Sequence, residues 1–502
     1  MKRVLSVWVV ALLLPFSAWT QSPEGASLLK EDTKVTEHKV KIEGKEISFK
    51  AVTGNLLQKG EKEEVKASLF YTAYFRQGVP SLSRPITFCF NGGPGSSSVW
   101  LHMGAFGPKK VNLQPQGYLA PPYSYVDNEW SLLDVSDLVF IDPVSTGYSK
   151  VAPGEDPKQF YGVEEDIKSV AEFIRLFITK NNRWLSPKFL AGESYGTTRA
   201  VGLAQCLQDD MQIYVNGVIL LSSILYFQVA EMGQKTNDLT FLLYLPAYTA
   251  TAWYHQKLST ELQQDFQRTL LDVRQFALGP YAIALLQGDL LSDEQKEEIA
   301  GKLSLYTGLT KQTIKEKNLR IGLWDFMQEL LYQEKEVVGR FDSRFKGGLL
   351  GMKEQDFYDP SYEAVGGLFT SCLNDYLKQE LGCIREDPYQ ILANVFPWNW
   401  GVSNAYLDVS TCLRSMMIRN PSLQVLVASG YYDLATPFSA ADYTFMHLNL
   451  PPALRSHITM AYYEAGHMMY LHHPSKVKLK KDVAEFIEKS VKEAHQLVKL
   501  PH

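Results

Sequence analysis

Three short apolar runs, each broken by a glycine-bearing turn, limit what this chain can fold into. They are Ile86 to Phe90 before Asn-Gly-Gly-Pro-Gly, Leu138 to Ile141 before Asp-Pro-Val-Ser-Thr-Gly, and Phe189 to Ala191 before Gly-Glu-Ser-Tyr-Gly. Unbroken apolar runs of this length suit strands covered on both faces, as in a parallel sheet. Between the last two, Val163, Ile167, Val170, Ala171, Ile174, Phe177 and Ile178 recur at helical spacing and form one apolar face. Val218 to Leu221 and Val425 to Ala428 read as further strands, and residues 35–75 as strands rich in β-branched and aromatic residues. Strands alternating with helices predict an α/β architecture, a mostly parallel central sheet flanked by helices.

The third run carries the chemistry. Gly192, Ser194 and Gly196 form the one G-x-S-x-G of the chain, followed by a proline-free segment from Thr197 to Leu207 that can be helical. Strand, tight turn and helix are the setting of a nucleophile elbow, in which a strained serine needs small neighbours. A serine hydroxyl is a poor nucleophile until a base takes its proton and an acid orients that base. Of ten histidines, His467 alone stands in a glycine-flanked turn after a strand-like run, Ile458 to Tyr463. Asp433 follows the apolar run ending in Ala428-Ser429-Gly430, as a strand-end carboxylate should. The order Ser194, Asp433, His467 is the one this arrangement requires. Two aimed N–H donors are expected from Tyr195, directly after the serine, and from the glycine loop at 91–95. His102 is a lesser competitor for the base. The adjacent His472 and His473 lack nearby carboxylate or cysteine partners, so no metal is expected.

Chain length and charge set the remaining bounds. With 502 residues, one core with an insertion or two domains is expected. The net charge of -5 offers no footprint for nucleic acid. Lys2 and Arg3 precede an apolar run from Val4 to Leu14 and a small-residue site near Ala18, so residues 1–20 read as a signal peptide. No later run is long enough to span a bilayer. Export permits disulfides, yet the five cysteines offer no convincing pair. Cys372 and Cys383 are separated by a helical pattern spanning roughly 16 Å, beyond the ~7 Å limit for a bridge. The chain has no N-x-S/T acceptor, which points to the periplasm or exterior of a bacterial cell rather than a eukaryotic secretory route.

Residues 35–230 and 388–502 are expected to build the core in two parts, with 231–387 a mostly helical cap inserted before the acid. Within it, Ser292 and Gln295 form a capping box and Ile321 to Val338 reads as a helix. Trp100 reads either as a pocket wall or as core. The lysines at 476, 478, 480 and 481 read as a solvated stretch.

FNGGPGSSS, FIDPVSTGYS, AGESYG, ASGYYDLATP and EAGHM, in this order, resemble the serine carboxypeptidases of the α/β-hydrolase fold from about Thr87 to the C-terminus. The resemblance implies release of C-terminal residues from peptides without a cofactor. Ser194 is then the nucleophile, His467 the base held by Asp433, and the oxyanion donors become Gly93 and Tyr195. Asn91 and Glu193 match positions that recognise a peptide's free terminal carboxylate. Two departures stand out. Ser96 replaces a usual cysteine, and Ala105 stands where the family has a second glutamate that shares a proton with the first. An esterase or acyltransferase using the same triad is therefore the alternative, with a non-catalytic scaffold a remote one.

Overall fold

The computed structural model describes residues 29–113, 120–230, 237–349 and 358–498. The signal-peptide segment, residues 1–20, lies outside the described residues. Nine strands form the spine of the main sheet. They are β1 (Thr33–Ile42), β2 (Lys45–Lys59), β3 (Val65–Arg76), β4 (Ile86–Phe90), β5 (Asp137–Ile141), β6 (Lys188–Glu193), β7 (Gly217–Leu221), β8 (Gln424–Gly430) and β9 (Ile458–Tyr463). Their spatial order is β1-β2-β3-β5-β4-β6-β7-β8-β9. The first three are antiparallel and joined in sequence, and β3 runs antiparallel to β5. From β5 to β9 every pairing is parallel.

The parallel strands β4 to β8 are buried along their whole length, which is why they read as unbroken apolar runs. Helices cover both faces. Val163–Lys180 and Tyr195–Met211 pack on one side, in a cluster with Phe88, Leu190 and Val425. On the other side Val483, Phe486 and Ile487 of the last helix, His473–Val498, join Phe189, Ile219 and Leu426. Burying each large apolar side chain contributes roughly 1.5–3 kcal/mol, so these faces hold the helices to the sheet.

Helices Asp238–Tyr254, Phe266–Phe276, Asp293–Thr307 and Leu323–Glu329 occur between β7 and β8 and share an apolar cluster of their own. That cluster also takes in Tyr432 and Leu434 from the loop after β8 and Phe438 at the start of the helix that follows, so the helices are anchored beside Asp433. The capping box at Ser292 and Gln295 is formed. The expected helix over 321–338 is shorter: it ends at Glu329, and Glu336–Val338 pairs antiparallel with Lys346–Gly348. Val337 and Val338 are buried in that hairpin, where β-branched side chains fit an extended backbone better than a helix. Helix Pro360–Gln379 departs from the cap cluster. Leu368, Phe369, Cys372 and Leu373 pack instead with Trp100 and Leu101 on the sheet face.

The basic stretch near the C-terminus is not uniformly solvated. Lys476 and Lys480 are buried, donating to the carbonyl of Gly104 at 2.6 Å and to Asp134 at 2.6 Å. Helical spacing turned these two toward the sheet and Lys478 and Lys481 outward, a phase that the charge run concealed.

All five cysteines are free thiols. Dithiothreitol is accordingly expected to leave the melting temperature where it is. A fall of about ten degrees would reveal a bridge, being what loss of ~2–4 kcal/mol produces.

Candidate active site

Ser194 stands at the turn between β6 and helix Tyr195–Met211, with φ 61° and ψ −132°. Its backbone is in a region that a residue with a Cβ rarely adopts, and the surrounding packing must impose it. Glycine is required on both sides by close approach. A Cβ on Gly192 would lie 2.1 Å from the Gly196 carbonyl oxygen, and one on Gly196 would lie 2.8 Å from that of Phe90. As the first residue of its helix, Tyr195 carries an N–H with no intrahelical acceptor.

The loop after β4 lies flush against this turn. A Cβ on Gly92 would come within 2.5 Å of the Tyr195 nitrogen, so only glycine lets the two backbones meet. Gly93 follows with φ 101°, exposed to the cavity. The segment after the cap braces the loop from outside: Ala393 N donates to Gly95 O at 2.8 Å and Ser97 N to Ile391 O at 2.9 Å. From beneath, the buried Arg199 donates to the Asn91 carbonyl and pairs with Asp166 at 2.7 Å. Its guanidinium also lies 5.2 Å from the centre of the Tyr195 ring. Neither Arg199 nor Asp166 belongs to a motif; only their shared burial shows that they tie the glycine loop to the serine turn.

Asp433 and His467 follow β8 and β9 at the same end of the sheet. His467 Nδ1 and Asp433 Oδ2 are 2.8 Å apart, and both side chains are buried. Asp433 is held by three further donors: the N–H groups of Ala435 and Thr436 at 2.8 and 2.9 Å, and the Thr436 hydroxyl at 2.8 Å. Burial by itself would push His467 down, but the Asp433 charge and hydrogen bond, with Glu193 beyond, carry it above its ordinary value. An imidazole so placed accepts a proton readily.

Ser194, His467, Asn91, Gly92, Gly93 and Glu193 line one cavity of about 120 Å³. Asn91 donates to Glu193 Oε1 at 2.9 Å and accepts from Leu101 N at 3.1 Å. Burial pushes Glu193 up to about 7, against the lowering effect of His467. Its Oε2 has no hydrogen-bond partner among the described residues, although the Tyr470 hydroxyl approaches it and is itself unpartnered. The Tyr470 ring packs against Gly104, where an added Cβ would meet it at 2.4 Å. Tyr470 thus stands between Gly104 and Glu193, a placement its position three residues after His467 does not suggest.

Of the candidate residues, Ser194, His467, Gly93, Asn91 and Glu193 border this cavity, Asp433 holds His467 from behind, and Tyr195 follows the serine at the start of its helix. Trp100 is both things at once, buried and lining the cavity, with its indole N–H donating to Ser96 at 3.1 Å. His102 is elsewhere: it bonds the Tyr74 hydroxyl, and burial pushes it down to about 3. Among the described residues no group of histidine, cysteine and carboxylate side chains is arranged to hold a metal.

Residues 41–473 match the family described as serine carboxypeptidase. The chain belongs to that family. Two plant members align with parts of it, both from Arabidopsis thaliana. Serine carboxypeptidase-like 51 is 31% identical over 31% of this chain and 33% of its own length. Serine carboxypeptidase-like 38 is 32% identical over 30% of this chain and 31% of its own. The matches thus span about a third of each relative. Among solved structures, a carboxyl esterase from Bacillus coagulans has a TM-score of 0.37 at 10% identity, covering 87% of this chain and 98% of that one. A monoglyceride lipase variant from Saccharomyces cerevisiae has a TM-score of 0.36 at 11% identity, covering 87% and 96%. Like other serine carboxypeptidases the chain has the α/β-hydrolase fold, with strand order and elbow as described above. No described helix is long and apolar enough to cross a membrane.

If Asp433 orients the imidazole, Asp433→Asn should lower kcat by about 10⁴-fold with little change in KM. Equal losses in kcat and in thermal stability would instead mark Asp433 as purely structural.

Proposed function

We propose that the chain is an exported serine carboxypeptidase that releases C-terminal residues from peptides. Ser194 Oγ attacks the scissile carbonyl while His467 takes its proton. The developing oxyanion is met by the N–H groups of Gly93 and Tyr195. Collapse expels the terminal residue as an amine, protonated by His467, and leaves an ester on Ser194. Water, deprotonated by the same histidine, then frees the shortened peptide.

The observation that carries the reading is Glu193. A buried carboxyl that keeps its proton to about pH 7 stands directly before the serine, with one oxygen unpartnered. Protonated, it can donate to a substrate carboxylate; ionised, it repels one. Asn91 sets its orientation. Ala105 favours a second reading, an esterase or acyltransferase with the same triad, because the shared-proton pair of glutamates is absent.

The sign of the pH dependence separates the two. The Glu193 pKa is raised, so the binding-competent protonated form prevails below about pH 7 and is lost as pH rises through it. The kcat/KM preference for a free-acid peptide over its amide should therefore shrink above pH 7. Turnover of a substrate without a carboxylate should show only the rising limb, as His467 becomes neutral. Equal cleavage of acid and amide at every pH would sink the carboxypeptidase reading and promote the esterase one.

A further inference from the structure

The cap contributes a cation to the cavity. Arg340 and Phe341, from the loop after Glu336–Val338, line it together with Tyr362, facing Ser194, His467 and Met468. This loop is held at both ends of the site. Arg340 N and O bond Asp359 Oδ1 and Leu434 N, each at 3.1 Å. The carbonyl of Phe341 accepts from His467 N at 2.6 Å. The Arg340 guanidinium stacks 5.2 Å above the Phe341 ring, which in turn lies 5.1 Å from the His467 imidazole. Its position is therefore set by the same contacts that place the base.

The guanidinium has no ion pair or hydrogen bond among the described residues. Other buried or half-buried arginines differ: Arg344 is paired with Asp342 at 2.6 Å, Arg199 with Asp166 at 2.7 Å and Arg320 with Asp238 at 2.7 Å. A half-buried arginine facing a small cavity, unneutralised, is complementary to an anion, and carboxylate matches its planar fork. The anion must also be near the nucleophile. One residue spans only ~3.8 Å of chain, so a carboxylate on the residue being released stays beside the serine that holds the scissile carbonyl.

We propose that Arg340 binds a carboxylate on the leaving residue, a task that falls to it because Ala105 leaves Glu193 without a second acid. The proposal rests on the carboxypeptidase reading and names the group that gives it selectivity. Two sources share this chemistry: the terminal α-carboxylate, and an acidic side chain on the last residue.

Two pairs of peptides distinguish them, each cleaved by the wild type, Arg340→Gln and Arg340→Lys. The first pair ends in alanine as free acid or amide. The second ends in glutamate amide or glutamine amide. The kcat/KM ratio within at least one pair should fall about tenfold or more in Arg340→Gln, mainly through KM, as loss of a charged hydrogen bond implies. Arg340→Lys, which keeps the charge but not the fork, should fall between. A drop in the first pair assigns the α-carboxylate, and a drop in the second the side chain. Ratios within twofold of wild type in both variants and both pairs overturn the proposal. Fluorophosphonate labelling of Ser194 shows whether each variant keeps an assembled site, and Arg340→Lys serves as the deciding variant if Arg340→Gln does not. A wild type indifferent to acid and amide in the first pair defeats the carboxypeptidase reading itself. That result is separate from a wild-type preference that survives in the variants.

Discussion

Replacing Ser194 by alanine is expected to cut turnover by at least about 10⁴-fold while leaving the melting temperature close to wild type. The side chain is partly exposed to the cavity, so its loss removes little packing. The strained backbone is imposed by Gly192, Gly196 and the surrounding sheet, which remain. His467→Ala should lose a similar factor, and the double variant little more, because nucleophile and base act as one unit. The histidine is buried against Phe341, however, and its removal opens a cavity, so a lower melting temperature accompanies it. Steady-state kinetics with a chromogenic acyl-peptide, beside a thermal melt, checks both. Residual activity above about one hundredth of wild type for Ser194→Ala means that the nucleophile has been misassigned.

Gly92→Ala carries the second large effect, although its side chain does no chemistry. The added methyl would meet the Tyr195 and Gly196 nitrogens at 2.5 and 2.7 Å and the Glu193 carbonyl oxygen at 2.8 Å. All three are backbone atoms inside a packed turn, so none can yield as the end of a side chain would. The glycine loop must move away from the elbow and take the Gly93 N–H out of line with Tyr195. Losing one aimed donor of this kind costs about 10²–10³ in kcat. The variant should also label more slowly with a fluorophosphonate, since the phosphonyl oxygen uses the same donors. Wild-type labelling and turnover in Gly92→Ala would show that this loop does not serve the oxyanion.

Much of the site was legible because its demands are local. An elbow needs glycines two residues either side of the serine, and β6 with its helix follows at once in the chain. The strand-end positions of Asp433 and His467 were readable for the same reason, as each comes shortly after a run that had to be buried. Elsewhere the local pattern misleads. Charge marks Lys476 and Lys480 as solvated, yet which lysines turn inward depends on the phase at which the last helix meets the sheet. Residues 321–338 read as helix from apolar content, but a short hairpin took their end.

From sequence alone, then, come the α/β class, the serine turn, and the strand-end positions of Asp433 and His467, because each is set by residues near in the chain. Folding decided which distant side chains join them. Arg199 reaches the Asn91 carbonyl, Tyr470 comes to Glu193, and the Arg340 loop bonds both Leu434 and His467 across more than ninety residues of chain. Such contacts leave no spacing pattern, since parallel strands set neighbours by crossover and not by sequence. The cap's place at the site is of this kind. Its helices share an apolar cluster with the loop that carries Asp433, and that packing brings the Arg340 guanidinium, without an ion pair among the described residues, to the cavity at Ser194.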